Sequence, residues 1–162
     1  MKHKRHKAKD YYKSEKRKNM ELSNIPEILG GEKILRKKIQ NRMDLVELSD
    51  IGVTKDALLN LANYLSLSMS QMATLLSMTE RTIKRYRPGE SFNRFVSEQI
   101  LQIAEVAVRG AEVFEDKNKF LVWMNNPSKA LAEKTPMSLL NSRFGTDMVL
   151  DELCRIEYGV FS

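Results

Sequence analysis

Residues 67–87, LSMSQMATLLSMTERTIKRYR, constrain this chain more than any other stretch. Ser68 can cap a helix, and Gln71 follows at the three-residue spacing of a capping box. Met72, Ala73, Leu75 and Leu76 then fall on one helical face. Ser77 and Met78 make a turn. Thr79 is the expected N-cap of a second helix, with Glu80 beside it favouring the positive end of the dipole. In that helix Ile83 and Tyr86 point inward, three residues apart, which leaves Arg81, Thr82, Lys84 and Arg85 facing out.

This is the layout of a helix-turn-helix, whose second helix lies in the DNA major groove. Ala73 matters most, because two helices crossing closely leave no room for a long side chain there. Met72, Leu76, Met78, Ile83 and Tyr86 agree with the spacing of the motif. Ser77 departs from it: such turns usually hold Gly, and a left-handed Ser costs about 1 kcal/mol. The plain alternative is an ordinary helical hairpin. As a DNA reader, the second helix would bring Arg81, Thr82, Lys84 and Arg85 to bases or phosphates, with Thr79 at its start. Ser70 and Gln71 would meet phosphates at the start of the first helix. One such unit makes few contacts, so a homodimer on an inverted repeat is expected.

The sequence has 162 residues, long enough for one ordinary domain or two small ones with a real core, at 42% apolar and 30% charged residues. A net charge of +6 suits an acidic partner such as nucleic acid. A large share of that charge sits in residues 1–19, a Lys- and Arg-dominated segment with almost no aliphatic residues. Such a segment cannot bury enough apolar area to offset its ordering entropy, and a disordered basic arm is expected. It can either grip phosphates or simply keep the protein soluble. His3 and His6 are three apart but stand among like charges, a poor metal site. A lone cysteine, Cys154, permits no internal disulfide and favours a reducing compartment. No apolar run approaches the ~20 residues of a membrane span. A soluble, cytoplasmic protein is expected.

An all-α fold follows from the pattern of the remainder. Residues 20–90 form a helix-turn-helix domain. Within it Ile25, Ile28 and Leu29 precede a break at Gly30-Gly31. Residues 32–42 are a basic amphipathic stretch with Ile34, Leu35 and Ile39 on one side. Asp44 is a candidate cap for a helix carrying Leu45, Val46 and Leu48, which Gly52 ends. Thr54 starts a supporting helix over 55–65 with Leu58, Leu59, Leu61, Ala62 and Leu65 inward. Residues 91–115 hold a long connecting helix, capped by Ser91, with apolar positions from Phe95 through Val96, Ile100 and Ile103 to Ala107. It can bridge two halves of the protein or supply a dimer interface. Residues 116–162 form a small helical domain. In it 116–125 is a helix with Phe120, Trp123 and Met124 as its stripe, and Trp123 a core anchor. Loop follows over 126–136, then a helical turn over 137–140. A last helix spans 147–158 with Met148, Val149, Leu150, Leu153 and Ile156 inward, and Gly159 breaks it.

Catalysis needs a base or an activated nucleophile near neutrality. Both histidines lie in the basic arm, Cys154 has no histidine partner, and no Gly-rich cofactor loop or metal-ligand spacing occurs. Glu152 and Glu157 read as helix-surface charges. No catalytic residue, metal or cofactor is expected, and the protein does not read as an enzyme.

The carboxyl-terminal half carries a specific set of pieces. Phe120-x-x-Trp123-Met124 is followed by Asn126-Pro127, then Ala130-Leu131, Thr135-Pro136 with Leu139-Leu140, Gly145, and Arg155-Ile156-Glu157-Tyr158-Gly159-Val160-Phe161-Ser162. In this order and spacing the chain resembles the Xre/MbcA/ParS-type antitoxins over residues 25–162, the helix-turn-helix included and the basic arm excluded. Members commonly have a Gly pair between the Ala-Leu and Thr-Pro pieces, where this chain has Ala132-Glu133.

The resemblance implies an antitoxin for a RES-domain toxin, a class that resembles ADP-ribosyl-transferring enzymes and consumes nicotinamide adenine dinucleotide. It implies a carboxyl-terminal domain that covers the toxin's active site, and a helix-turn-helix that represses the operon. The residues suit such a role: an aromatic and apolar ending after a Gly-broken helix can enter a pocket. On this reading Asn126, Ser128, Lys129, Arg155, Glu157, Tyr158, Gly159, Val160, Phe161 and Ser162 face the toxin. Alternatively Ile156, Tyr158, Val160 and Phe161 complete the domain core. A second function class also fits, a stand-alone transcription regulator whose carboxyl-terminal domain only dimerises.

Overall fold

A 21-residue helix, α7 (Arg94–Phe114), runs through the middle of the molecule. At 1.5 Å per residue it is ~30 Å long, enough to cross a small domain. It buries Ile100, Leu101, Ile103, Ala104, Val106, Ala107 and Val108, more than half of its circumference. Full burial of such side chains is worth about 1.5–3 kcal/mol each, so this helix is the main source of cohesion. The structure, a computed structural model, describes residues 21–159. The basic arm 1–19, with His3 and His6, and the residues Val160, Phe161 and Ser162 lie outside that range.

Before α7 come α1 (Ile25–Leu29), α2 (Glu32–Leu35), α3 (Arg42–Ile51), α4 (Lys55–Tyr64), α5 (Met69–Leu75) and α6 (Glu80–Arg85). After it come α8 (Lys117–Met124), a 3-10 turn (Lys129–Leu131), α9 (Pro136–Leu139) and α10 (Arg143–Glu157). The described residues are helical and contain no β-strand. Helices α1, α3, α8 and α10 all pack on α7, while α4 reaches the body through α1. The long helix is therefore the common floor of both halves as well as the link between them. No helix among the described residues is long and apolar enough to cross a membrane.

Local chemistry explains most element ends. Thr54, Ser68 and Thr79 cap α4, α5 and α6 as their side chains predict. Ser68 and Gln71 form the reciprocal capping box, with bonds of 3.1 and 2.8 Å. Four ends differ from expectation. Helix α3 is capped by Asn41, and Asp44 is the third helical residue, whose carboxylate accepts from the backbone N–H groups of Gln40 and Asn41. Two good capping residues three apart are themselves a capping box, and the upstream one is the cap. Helix α7 is capped by Asn93 rather than Ser91. Ser91 instead bridges Thr54, and the Phe92 N–H donates to the Val53 carbonyl. Helix α10 starts at Arg143, capped by Ser142, four residues before the expected start. Gly145 lies within its first turn. A Cβ there would overlap the Leu139 carbonyl, so α9 and α10 touch backbone to backbone. The basic stretch 32–42 is helical only to Leu35, where left-handed Arg36 ends α2.

Two side chains expected inward, Leu59 and Met148, are exposed, as are the apolar Val46 and Phe95, the last at 82%. Phe95 sits in the first turn of α7, before that helix enters the body. Trp123 is partly buried against Phe114, ring centroids 5.5 Å apart, as a core anchor should be.

Candidate functional site

Two surfaces carry the exposed chemistry. The first is the α5–turn–α6 unit. Met72, Ala73, Leu75, Leu76 and Ile83 are buried beneath it, and Ala73 is 2% exposed at the crossing. Ser77 makes the turn in the left-handed region, φ 52°. Arg81 and Arg85 point to solvent and make no ion pair among the described residues. Lys84 is also exposed but pairs with Glu80 at 2.6 Å, one helical turn back. Thr82 is half-buried, and its hydroxyl lies 2.8 Å from that of Thr79, so the two share the cap. Ser70 is exposed at the start of α5, while Gln71 spends its side chain on the capping box.

Two residues that the sequence did not single out hold this unit in place. Lys55, the first residue of α4, donates from Nζ to the carbonyls of Tyr86 at 2.7 Å and Lys84 at 3.3 Å. It satisfies orphan carbonyls at the end of α6 and places a cation at the negative end of the dipole. Gln99 of α7 donates to the Leu75 carbonyl at the end of α5 and, at 3.4 Å, to the Asn141 carbonyl before α10. One amide thus touches both halves of the molecule. A Lys or Gln at a helix surface carries no sequence signal of such reach.

The second surface belongs to the carboxyl-terminal half. Asn126, Lys129, Arg155 and Tyr158 are exposed, and Tyr158 is 67% accessible. The Asn126 amide donates to the Val122 carbonyl at 2.7 Å. Ser128 is half-buried, since its backbone pairs with Lys134 to close the loop around the 3-10 turn. Ala132 and Glu133 hold that loop with φ 55° and 62°. The expected Gly pair is thus absent while its left-handed backbone is retained.

Glu157 corrects the sequence reading. Its side chain is 13% exposed and faces inward to Arg109 rather than outward from α10. Arg109, 8% exposed on α7, is paired on one side with Glu157 and on the other with Glu21, with Cys154 Sγ 3.7 Å from Nη2. Burial opposes the charge of Arg109, but the two carboxylates outweigh it and raise its pKa. Beside this triad lies a cavity of about 550 Å³ whose lining includes Glu21, Arg109, Cys154, Asp151 and Tyr158. Gly159 leaves α10 with φ 66°. Among the described residues no cluster of His, Cys, Asp and Glu is placed to hold a metal ion.

Comparison with known proteins matches both surfaces. Residues 44–105 match the antitoxin Xre-like helix-turn-helix domain, and residues 109–159 match the antitoxin Xre/MbcA/ParS carboxyl-terminal toxin-binding domain. The chain is 29% identical to an antitoxin Xre of Yersinia enterocolitica over 120 residues, which cover 73% of this chain and 81% of that one. It is 26% identical to an antitoxin Xre of Photorhabdus laumondii over 102 residues, which cover 62% and 69%. The two domain matches meet inside α7, one ending at Glu105 and the other beginning at Arg109. One helix therefore carries both a DNA-binding and a toxin-neutralising module, and the chain belongs to the Xre/MbcA/ParS-type antitoxins.

Proposed function

We propose that this antitoxin neutralises a RES-domain, nicotinamide adenine dinucleotide-consuming toxin by covering its active site, and that it acts in the cytoplasm as a homodimer that represses its own operon. It is a binding protein on this reading, with no cofactor. The observation that carries it is the exit of the toxin-binding domain: α10 ends with exposed Tyr158 and left-handed Gly159 leading into Val160, Phe161 and Ser162. An aromatic and apolar sequence after a glycine-broken helix is suited to a concave pocket. Tyr158, Gly159 and the three residues after them are the anchor. Arg155, Asn126, Ser128 and Lys129 form the polar rim, and Glu157 contributes through its ion pair. At the other surface, Arg81 and Arg85 read bases, Lys84 and Thr82 flank them, and Ser70, Gln71 and Thr79 lie against phosphates.

Truncation after Tyr158 tests the first half. Co-expressed with a RES-domain toxin, the truncated protein should remain folded and fail to protect cells that the full chain protects. Protection by both forms would refute the anchor. Protection by neither would favour a regulator without a toxin partner. For DNA, Arg81→Ala with Arg85→Ala should abolish operator binding, and a loss of about 1–3 kcal/mol from Arg85→Ala alone would mark a guanine contact. Unchanged operator affinity in the double variant rules out α6 as the reader.

A further inference from the structure

We propose that Arg109 is a positioning residue for toxin capture: its guanidinium fixes the helix exit at Tyr158 and Gly159 and ties that exit to Glu21, at the opposite end of the described residues. This rests on the toxin-facing role proposed for Tyr158 and Gly159 and deepens it.

Arg109 is the charged side chain that the core of α7 buries. Its guanidinium is shared, one Nη toward Glu21 and the other toward Glu157, and both carboxylates are themselves shielded, at 14% and 13% side-chain exposure. A planar fork held at both ends has little orientational freedom, and in a site with little water each bond is stronger than on a surface. Glu157 is the last residue of α10, and Tyr158 follows it. Two backbone bonds hold this exit locally, Tyr158 N–H to the Cys154 carbonyl and Gly159 N–H to the Ile156 carbonyl, each 3.1 Å. Without the ion pair the last turn of α10 is an ordinary fraying helix end. With it, the turn is pinned to the rigid centre of the fold. Glu21 holds the other side of the fork, directly after residues 1–20. Tyr158 and Glu21 line the same cavity, so the two chain segments meet across Arg109.

A position near the amino terminus should therefore control the grip on toxin. The test uses Glu21→Gln and Glu157→Gln in the full chain, with two readouts. The first is amide hydrogen exchange in the antitoxin alone. Both variants should speed exchange at Tyr158 and Gly159 about tenfold, well beyond any rise at the centre of α10, with the melting temperature lowered by only a few degrees. The second is the dissociation rate from a RES-domain toxin, which should also rise about tenfold in both variants while operator affinity is unchanged. Arg109→Lys keeps the charge without the fork and should behave like the glutamine variants. Faster exchange in the variants of an antitoxin that binds no such toxin would leave the pinning intact and remove the toxin reading. Wild-type rates for both readouts in Glu21→Gln would overturn the inference. So would a uniform rise in exchange along α10, which marks a merely structural stitch.

Discussion

Ser77, Ala132 and Glu133 hold left-handed backbone at positions where the related motifs favour glycine. A Cβ in that region costs about 1–2 kcal/mol, and the extra freedom of an unfolded glycine takes back about 0.5–1 kcal/mol. Ser77→Gly and Ala132→Gly should therefore each stabilise the protein by about 0.5–1 kcal/mol in urea unfolding. A loss of stability would mean that the side chains make interactions worth more than the strain. Asp44 gives a residue-scale prediction in pH. The backbone N–H of Gln40 is the largest influence on it; the N–H of Asn41 and the Lys37 ammonium at 3.2 Å act the same way, and together they hold its pKa below the ordinary 3.8. A depressed folded-state pKa adds stability that is complete above the unfolded value and is lost as pH falls through the folded one. Asp44→Asn should thus melt below wild type at neutral pH, and the two melting curves should converge in the acid region below about pH 4. Parallel curves down to acid would show that the carboxylate's charge is not what holds this cap.

At the scale of elements, the recognition helix is the least self-sufficient part. Helix α6 has six residues, too few to persist by propensity alone. Its start is capped by Thr79 and its end by Lys55 from α4, while Tyr86 rests on Phe92 with ring centroids 4.4 Å apart. Lys55→Met should cost about 1 kcal/mol in stability and weaken operator binding alike on all sequences, because the helix would fray at the end that carries Arg85. Fluorescence anisotropy on operator and scrambled duplexes separates this from the loss of one base-specific bond. The elements differed in how far sequence foretold them. The α5–α6 pair was legible down to its caps, since Ser68, Gln71 and Thr79 act on backbone two or three residues away. The start of α10 was not, because Gly145 is set by a backbone approach to Leu139 that only the folded chain creates. At the candidate sites the exposure of Arg81 and Arg85 followed from helical phase, whereas for Tyr158 the sequence left a core position and an exposed one both open. The inward turn of Glu157 depended on Arg109, 48 residues earlier, and no local pattern announces a partner at that distance.

Across the whole molecule, charge is unevenly divided. Residues 1–19 hold nine Lys and Arg against Asp10 and Glu15, which leaves 18 basic and 19 acidic residues in the rest. Residues 20–162 are therefore close to neutral, and the excess of positive charge that would draw the protein to DNA belongs to residues 1–19. The helix-turn-helix presents few cations of its own, chiefly Arg81, Lys84 and Arg85, and one of these is already paired. On the proposed reading, base contacts and phosphate attraction thus sit on different parts of the chain. Deleting residues 1–19 should weaken binding to operator and random DNA by the same factor at low salt. It should also flatten the dependence of log affinity on log salt, by about 0.9 for each phosphate that the arm neutralises. The ratio of operator to random affinity should hold if, as proposed, α6 reads the bases. If the ratio falls while the salt slope stays, the arm reads sequence in the minor groove and is not a phosphate grip. Because Glu21 survives the deletion, the Arg109 triad is left whole, and toxin dissociation from the shortened protein should match the full chain.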